Sequence, residues 1–347
     1  MNAARLHEFG RPLQWDDVPT PELRTGSDVI VRMAAAGLCH TDISVIDGTL
    51  PDIKGRFPAL PYILGHENAG YVHAVGDSVT GLKAGDPVLV YGAWGCGTCV
   101  FCRRGEEQRC PVSPLTPGIS PEYQGGFAEF MYVPSSRYLL KVEGSMEDLA
   151  PLTDAGLTSY RATKRVRSHL SPGSFSLVIG TGGLGLYALQ YLPLFGSSTV
   201  IAADVADRKL RLAENFGASV ALNLREDNPV EKVASATGGR GVKSILDFVG
   251  TSATAALSMK VLSADGIYVD VGLGGGTLSV PLIDLVHSES SITGSIWGTY
   301  EELAEVYELV KSGKVKSTIQ KFNLSDINSA ITQMRNGELL GRAVLAG

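Results

Sequence analysis

Four cysteines, Cys96, Cys99, Cys102 and Cys110, fall within fifteen residues of the 347-residue chain. Their spacing puts four thiols on one compact loop, and Gly95, Gly97 and Gly105 let the backbone bend around a centre. Four thiolates suit tetrahedral Zn2+, and a zinc with all four positions filled by protein is structural. The alternative reading is a redox or iron–sulfur role, which uses similar spacings. The fifth cysteine, Cys39, stands alone, so the set does not form a disulfide framework.

A second feature is Gly180-Thr181-Gly182-Gly183-Leu184-Gly185, which follows the apolar run SLVIG. In a G-x-G-x-x-G the first glycine permits the tight turn. The second admits a pyrophosphate to the backbone, and the third lets helix and strand pack closely. The free N–H groups of the next helix then face the phosphates. The following strand ends at Asp204, where a carboxylate accepts ribose hydroxyls and repels a 2′-phosphate, favouring NAD over NADP. Lys209 is within reach of a ribose, although with Arg208 it also reads as an exposed helix start. The competing reading of the turn is an α/β domain that binds nothing there.

Three further segments have polar groups suited to a metal. Cys39 lies in Ala36-Gly37-Leu38-Cys39-His40-Thr41-Asp42, followed by Gly65-His66-Glu67 and then Pro151-Leu152-Thr153-Asp154. Singly each has a dull explanation: a small buried thiol, a structural histidine, a helix cap. Together with the thiol loop and the glycine turn they make a constellation.

The elements that must position these groups change character along the chain. Up to about residue 150 the segments are short and β-rich, such as DVIVRMAAAG and DPVLVYGAWG, and are ended by Gly or Pro. From about 155, apolar strands alternate with helices, beginning with SLVIG and TVIAAD, as in a parallel sheet covered on both faces. One amphipathic helix and a strand-like GRAVLAG close the chain. The fold class is therefore α/β: a β-barrel-like domain and a doubly wound parallel sheet.

Composition fits a folded protein acting on small molecules. Hydrophobic residues are 44% and charged residues 19%, which excludes a disordered acidic chain. The net charge is −6 without Lys/Arg runs, against a nucleic-acid or anionic-membrane partner. Residues 168–203 contain no Asp, Glu, Lys or Arg, but prolines and glycines interrupt that run, unlike a membrane span. The N-terminus lacks the apolar core of a secretory signal, so a soluble cytoplasmic protein is expected.

With those motifs in hand, the chain resembles the zinc-dependent medium-chain dehydrogenase/reductase family, best known for alcohol dehydrogenases, and looks closest to bacterial NAD-dependent secondary-alcohol dehydrogenases. The match runs through G-L-C-H-T-D, G-H-E, the four-Cys loop, the glycine turn and the terminal G-R-A-V. The resemblance implies a GroES-like catalytic domain, residues 1–154 and 296–347, with a structural zinc lobe at about 95–111. Residues 155–295 would be a Rossmann NAD-binding domain. It implies two zincs per subunit, the catalytic one on Cys39, His66 and Asp154, where many members have Cys in place of Asp154. Glu67 is the nearest alternative ligand, and Asp42 is expected to fix the tautomer of His66.

The implied reaction is reversible hydride transfer between an alcohol and NAD(H), with zinc as Lewis acid. Thr41 is implied as the hydroxyl that moves the alcohol proton. Many members continue that relay with a His where this chain has Ser44. His40 and Arg342 are expected at the cofactor pyrophosphate, and Trp94, Ile296 and Trp297 at the substrate or nicotinamide, core packing being the other reading of these three. The small-molecule partner is an apolar alcohol, ketone or aldehyde, or a polyol or sugar. A homo-oligomer, tetramer or dimer, follows by analogy.

Overall fold

The computed structural model describes residues 1–52, 54–112, 115–225 and 228–347. The chain forms two compact units: Met1–Leu157 together with Trp297–Gly347, and Thr158–Ile296. The boundaries fall three residues and one residue beyond those expected, inside the helix Ala155–Val166 and before Trp297. Ile296 accordingly belongs to the second unit.

In the first unit, a twisted sheet follows the order Ile319–Asn323, Arg342–Ala346, Val29–Leu38, Glu67–Val75, Pro87–Val90, Leu139–Lys141. Phe130–Val133 also pairs with Val29–Leu38. The C-terminal strand lies antiparallel to the end of Val29–Leu38, with Ala343 opposite Leu38. The tail therefore completes this unit, and its apolar residues Ala343, Val344 and Leu345 are buried as a central strand demands. A small sheet of Gln14–Asp17, Asn2–Leu6 and Tyr62–Ile63 covers one end. Between them lies a core of Leu6, Leu38, Val45, Tyr62, Leu64, Phe127, Ile327 and Met334. Burying each such side chain stabilises by about 1.5–3 kcal/mol.

The second unit holds β1 (Ser174–Ile179), β2 (Ser198–Asp204), β3 (Val220–Asn223), β4 (Val242–Asp247), β5 (Leu262–Asp270) and β6 (Ser291–Gly294). All neighbours are parallel, in the order β3-β2-β1-β4-β5-β6. Alternate residues of β1 feed two separate cores, Leu177 and Ile179 into one and Val178 into the other. That explains why the strands read as continuous apolar runs. The strand order reverses between β1 and β4, the crevice where open α/β sheets take ligands. Among the described residues, no helix is long and apolar enough to cross a membrane.

Candidate metal centres and dinucleotide turn

Cys39 caps the helix His40–Ile46 in extended conformation, and Asp42 is the third residue of that helix. Asp42 Oδ2 accepts from the Cys39 backbone N–H at 2.9 Å, and Asp42 Oδ1 lies 3.1 Å from His66 Nδ1. One carboxylate thus fixes both the helix start and the histidine. With Nδ1–H given to Asp42, Nε2 keeps the lone pair a metal needs. Nε2 is 3.6 Å from Asp154 Oδ2. Asp154 arrives by a different route: Thr153 Oγ1 accepts from the Asn68 N–H at 3.1 Å, tying its short helix to the strand that begins at Glu67.

Donor atoms of Cys39, His66, Glu67 and Asp154 all lie within 4.8 Å of one another. All four residues are buried. Burial alone would lower the His66 pKa, but the Asp42 charge and hydrogen bonds to Asp154 and Asp42 raise it well above the ordinary histidine value. Burial would raise Asp154, yet His66 and Arg342 hold its carboxyl well below the usual range. A soft thiolate, an imidazole and a carboxylate in a buried pocket are a donor set that fits a catalytic zinc. Thr41 places its hydroxyl 3.6 Å from Cys39 Sγ, beside this set. Ser44 Oγ donates back to the His40 carbonyl at 3.2 Å, and His40 is exposed.

The thiol loop gathers as its spacing suggests. Sγ–Sγ distances are 3.5 Å for Cys99–Cys102 and 3.9 Å for Cys96–Cys102 and Cys99–Cys110. A tetrahedron with Zn–S of about 2.3 Å has edges of about 3.8 Å, whereas a disulfide needs about 2.05 Å. The donors therefore stand where zinc would hold them. Hydrogen bonds from the Thr98 hydroxyl and nearby N–H groups draw the Cys96 thiol down to about 5, toward the thiolate a metal binds. Burial pushes Cys102 up to about 12.

At the glycine turn, α1 (Gly183–Phe195) starts with no side-chain cap. Gly180 has φ +83°, and a Cβ on Gly185 would lie 2.1 Å from the Gly180 carbonyl oxygen. A Cβ on Gly182 would meet nothing within 4 Å. The protein thus crowds two glycines and leaves the middle one facing open space, as a pyrophosphate cradle requires. Asp204 is buried at the end of β2. Its Oδ2 accepts from the Thr181 N–H at 2.8 Å and Thr181 Oγ1 at 3.2 Å, and its Oδ1 from the N–H groups of Val205 and Ala206. The carboxylate that would receive a ribose therefore also ties the glycine turn to β2. Lys209 lies in the first turn of α2 (Asp207–Asn215).

Two of the expected site residues have partners within the first unit. The buried guanidinium of Arg342 donates to Glu67 and, at 3.1 Å, to Asp154 Oδ2. A lone Arg in the buried strand Arg342–Ala346 must find a carboxylate, and that was the signal available in the sequence. Trp94 is a packing residue, stacked on Tyr138 and edge-on to Tyr123, with its indole N–H given to the Tyr91 carbonyl. Trp297 does approach the metal group, its ring edge-on to His66 at 5.9 Å, from a backbone with φ +48°. A bulky residue rarely adopts that conformation. Ile296 is half-exposed on the other unit.

Residues 25–144 match the family described as "Alcohol dehydrogenase GroES-like domain" and residues 183–312 that described as "Zinc-binding dehydrogenase". An NAD-dependent alcohol dehydrogenase of Sulfurisphaera tokodaii is 37% identical, with 99% of each chain covered. A D-arabinose 1-dehydrogenase (NADP(+)) of Saccharolobus solfataricus is 36% identical, covering 99% of this chain and 97% of that one. The crystal structure of the alcohol dehydrogenase from Aeropyrum pernix superposes with a TM-score of 0.94 at 43% identity over the full length of both chains. Full-length likeness at that identity, joined to the two donor clusters and the glycine turn, places the chain in the zinc-dependent medium-chain dehydrogenase/reductase family, among its alcohol dehydrogenases.

Proposed function

We propose that this protein is an NAD(H)-dependent alcohol dehydrogenase and carbonyl reductase for small to medium apolar substrates, with two zincs per subunit. The observation that carries the reading is the buried Cys39, His66 and Asp154 group, with donor atoms within 4.8 Å of one another. When bound there, zinc supplies Lewis-acid polarisation of a carbonyl or alcohol oxygen. The chain's own residues do the rest. Asp42 keeps His66 in its metal-binding tautomer. The Thr41 hydroxyl, beside Cys39, would relay the alcohol proton, accepting it while passing its own on to the nicotinamide ribose, and would run the relay backwards when a carbonyl is reduced. Gly180, Gly182, Gly183, Leu184 and Gly185 receive the pyrophosphate of NAD. Asp204 meets the adenosine ribose and Lys209 supports it. Trp297 brings an apolar ring to the edge of His66, which favours hydrophobic carbonyl compounds.

The second zinc belongs to Cys96, Cys99, Cys102 and Cys110, where it holds the loop. Ser44 ends the proton path differently from members with His at that position, and its hydroxyl hands hydrogen bonds back to its own helix. The unit Thr158–Ile296 carries exposed Leu273, Leu282, Ile283, Val286, Ile292 and Ile296 and ends in the edge strand β6. Exposed apolar residues and an open strand edge favour docking of a second copy, hence a dimer or tetramer. Reduced thiols in both clusters suit the cytoplasm.

The sugar reading rests on the D-arabinose 1-dehydrogenase relative. A panel of ketones, aldehydes and aldoses with NADH/NAD and NADPH/NADP separates the two. Hydrophobic carbonyls with NADH are expected to give the highest kcat/KM. Faster turnover of aldoses, or NADPH used better than NADH, would overturn the substrate class or the role of Asp204.

A further inference from the structure

β4 and β5 end side by side in carboxyl groups. Asp247, the last residue of β4, stands opposite Asp270, the last of β5, on adjacent parallel strands. Neighbouring strands lie about 4.8 Å apart, and like charges directly opposite each other are destabilising. The two share one hydroxyl. Tyr268, two residues before Asp270 and on the same face, donates to Asp247 Oδ2 at 3.1 Å and lies 3.5 Å from Asp270 Oδ1. Asp247 is wholly buried, and its Oδ1 accepts from the N–H groups of Val249 and Gly250. Asp270 is half-buried. Burial and the Asp247 charge raise the Asp270 carboxyl above the ordinary aspartate value, while hydrogen bonds from Tyr268 and the Val271 N–H draw it back. Two carboxyl groups so placed hold one proton between them more readily than two charges. The strands on either side add no charge, since Ile179 of β1 and Gly294 of β6 complete the row. The helices packed on β4 and β5 carry Lys260, Asp284 and His287, none of which is among the groups acting on Asp270.

This pair adjoins the glycine turn. Asp247 is in register with Ile179, the residue before Gly180, and the Phe248 N–H donates to the Ile179 carbonyl at 2.9 Å. Val249 lies so near that a Cβ on Gly180 would be 2.8 Å from its Cγ2. The Asp247 carbonyl accepts from the N–H groups of Val271 at 2.9 Å and Gly272 at 3.0 Å, so one residue ties together the loops that follow β4 and β5. We propose that Asp247, Tyr268 and Asp270 form a proton-sharing group that links the binding of NAD(H) to pH, with Asp270 carrying the proton. This rests on the NAD reading proposed above and adds a regulation of that same site. With the proton in place, the two carboxyl groups face each other without repulsion and the loops beside the glycine turn keep their spacing. When it leaves, a second negative charge stands opposite Asp247, pushes the strand ends apart and opposes the negative pyrophosphate. NAD(H) is therefore held more tightly below the Asp270 titration than above it. By linkage, its binding draws a proton onto the pair.

The test is NADH fluorescence titration of the full-length protein between about pH 4.5 and 8, with proton uptake on NADH addition measured in weak buffer. In the parent, NADH affinity is expected to fall about 5–10-fold as pH rises through the Asp270 titration, with proton uptake over the same interval. Asp270→Asn, which cannot ionise, should lose that step, take up less proton and keep the tight affinity at the alkaline end. Asp247→Asn should move the step down toward the ordinary aspartate value of about 3.9. Melting without NADH reads the shared proton separately from cofactor binding. A raised carboxyl contributes fully to stability below its unfolded pKa, and that contribution is lost as pH rises through the raised one. Asp270→Asn should therefore melt with the parent at the acid end and roughly 2 °C above it near neutrality. An affinity step and proton uptake in Asp270→Asn equal to the parent's would overturn the proposal, as would a parent affinity that is flat in pH. A parent that binds NADH at no pH would overturn the NAD reading instead, with the melting difference still supporting or denying the shared proton.

Discussion

At Asp154 a carboxylate stands where many members of the family have a thiolate, and its surroundings show how such a ligand is kept ready. His66 and Arg342 hold the carboxyl ionised despite burial, and Thr153 anchors the segment to the strand carrying His66. Asp154→Ala should therefore lose the buried zinc while keeping that of the four-Cys loop. On the proposed two-zinc reading, metal analysis should give about one zinc per subunit against about two in the parent. Turnover should fall at least about 100-fold, the upper end of what groups merely orienting a ligand cost. Normal turnover with an unchanged zinc count would remove Asp154 from the ligand set. The donors themselves were legible in the sequence, because the chemistry of a thiol cluster or of G-H-E is carried by neighbouring residues. The partner of Arg342 was not. Glu67 lies 275 residues away, and no local spacing encodes a pair joined only when the last strand enters the sheet.

The glycine turn is a property of elements, since it exists only where β1 meets α1. Its three positions face different surroundings, so substitutions there should separate. Gly185→Ala puts a methyl 2.1 Å from a backbone oxygen and should destabilise the protein by about 1–3 kcal/mol, the range for overpacking. Gly182→Ala meets no protein atom and should leave the melting temperature nearly unchanged while weakening NADH binding about tenfold or more. Thermal melts and NADH fluorescence titration check both. A Gly182→Ala protein with parent-like NADH affinity would mean that the cofactor does not pass over this turn. Strand and helix identities here were readable because both faces of the sheet are buried, which writes apolar runs directly into the sequence. The ends were less so. β6 stops at Gly294, short of the SITGSIWG run, and the backbone reaches φ +48° at Trp297. A left-handed tryptophan is set by tertiary packing, for which no residue propensity gives warning.

For the whole molecule, the chain leaves its first unit after Leu157 and returns at Trp297 to finish it. The only sign of this in the sequence is GRAVLAG, whose strand Arg342–Ala346 pairs with Ile319–Asn323 and with Val29–Leu38. On the proposed oligomer, the exposed apolar residues between 273 and 296 are where a further copy would bind. Leu282→Asp/Val286→Asp should shift the protein from an oligomer to a smaller species in light scattering without lowering zinc content. An unchanged mass would place the interface elsewhere.

The claim on which all of these depend is that a zinc held by Cys39, His66 and Asp154 is required for NAD-linked reduction. NADH oxidation with a hydrophobic ketone, followed through chelation and zinc add-back with zinc content measured at each stage, addresses it most directly. Activity should disappear as the buried site empties and return as zinc refills it. Full turnover by protein whose buried site holds no metal would contradict the account.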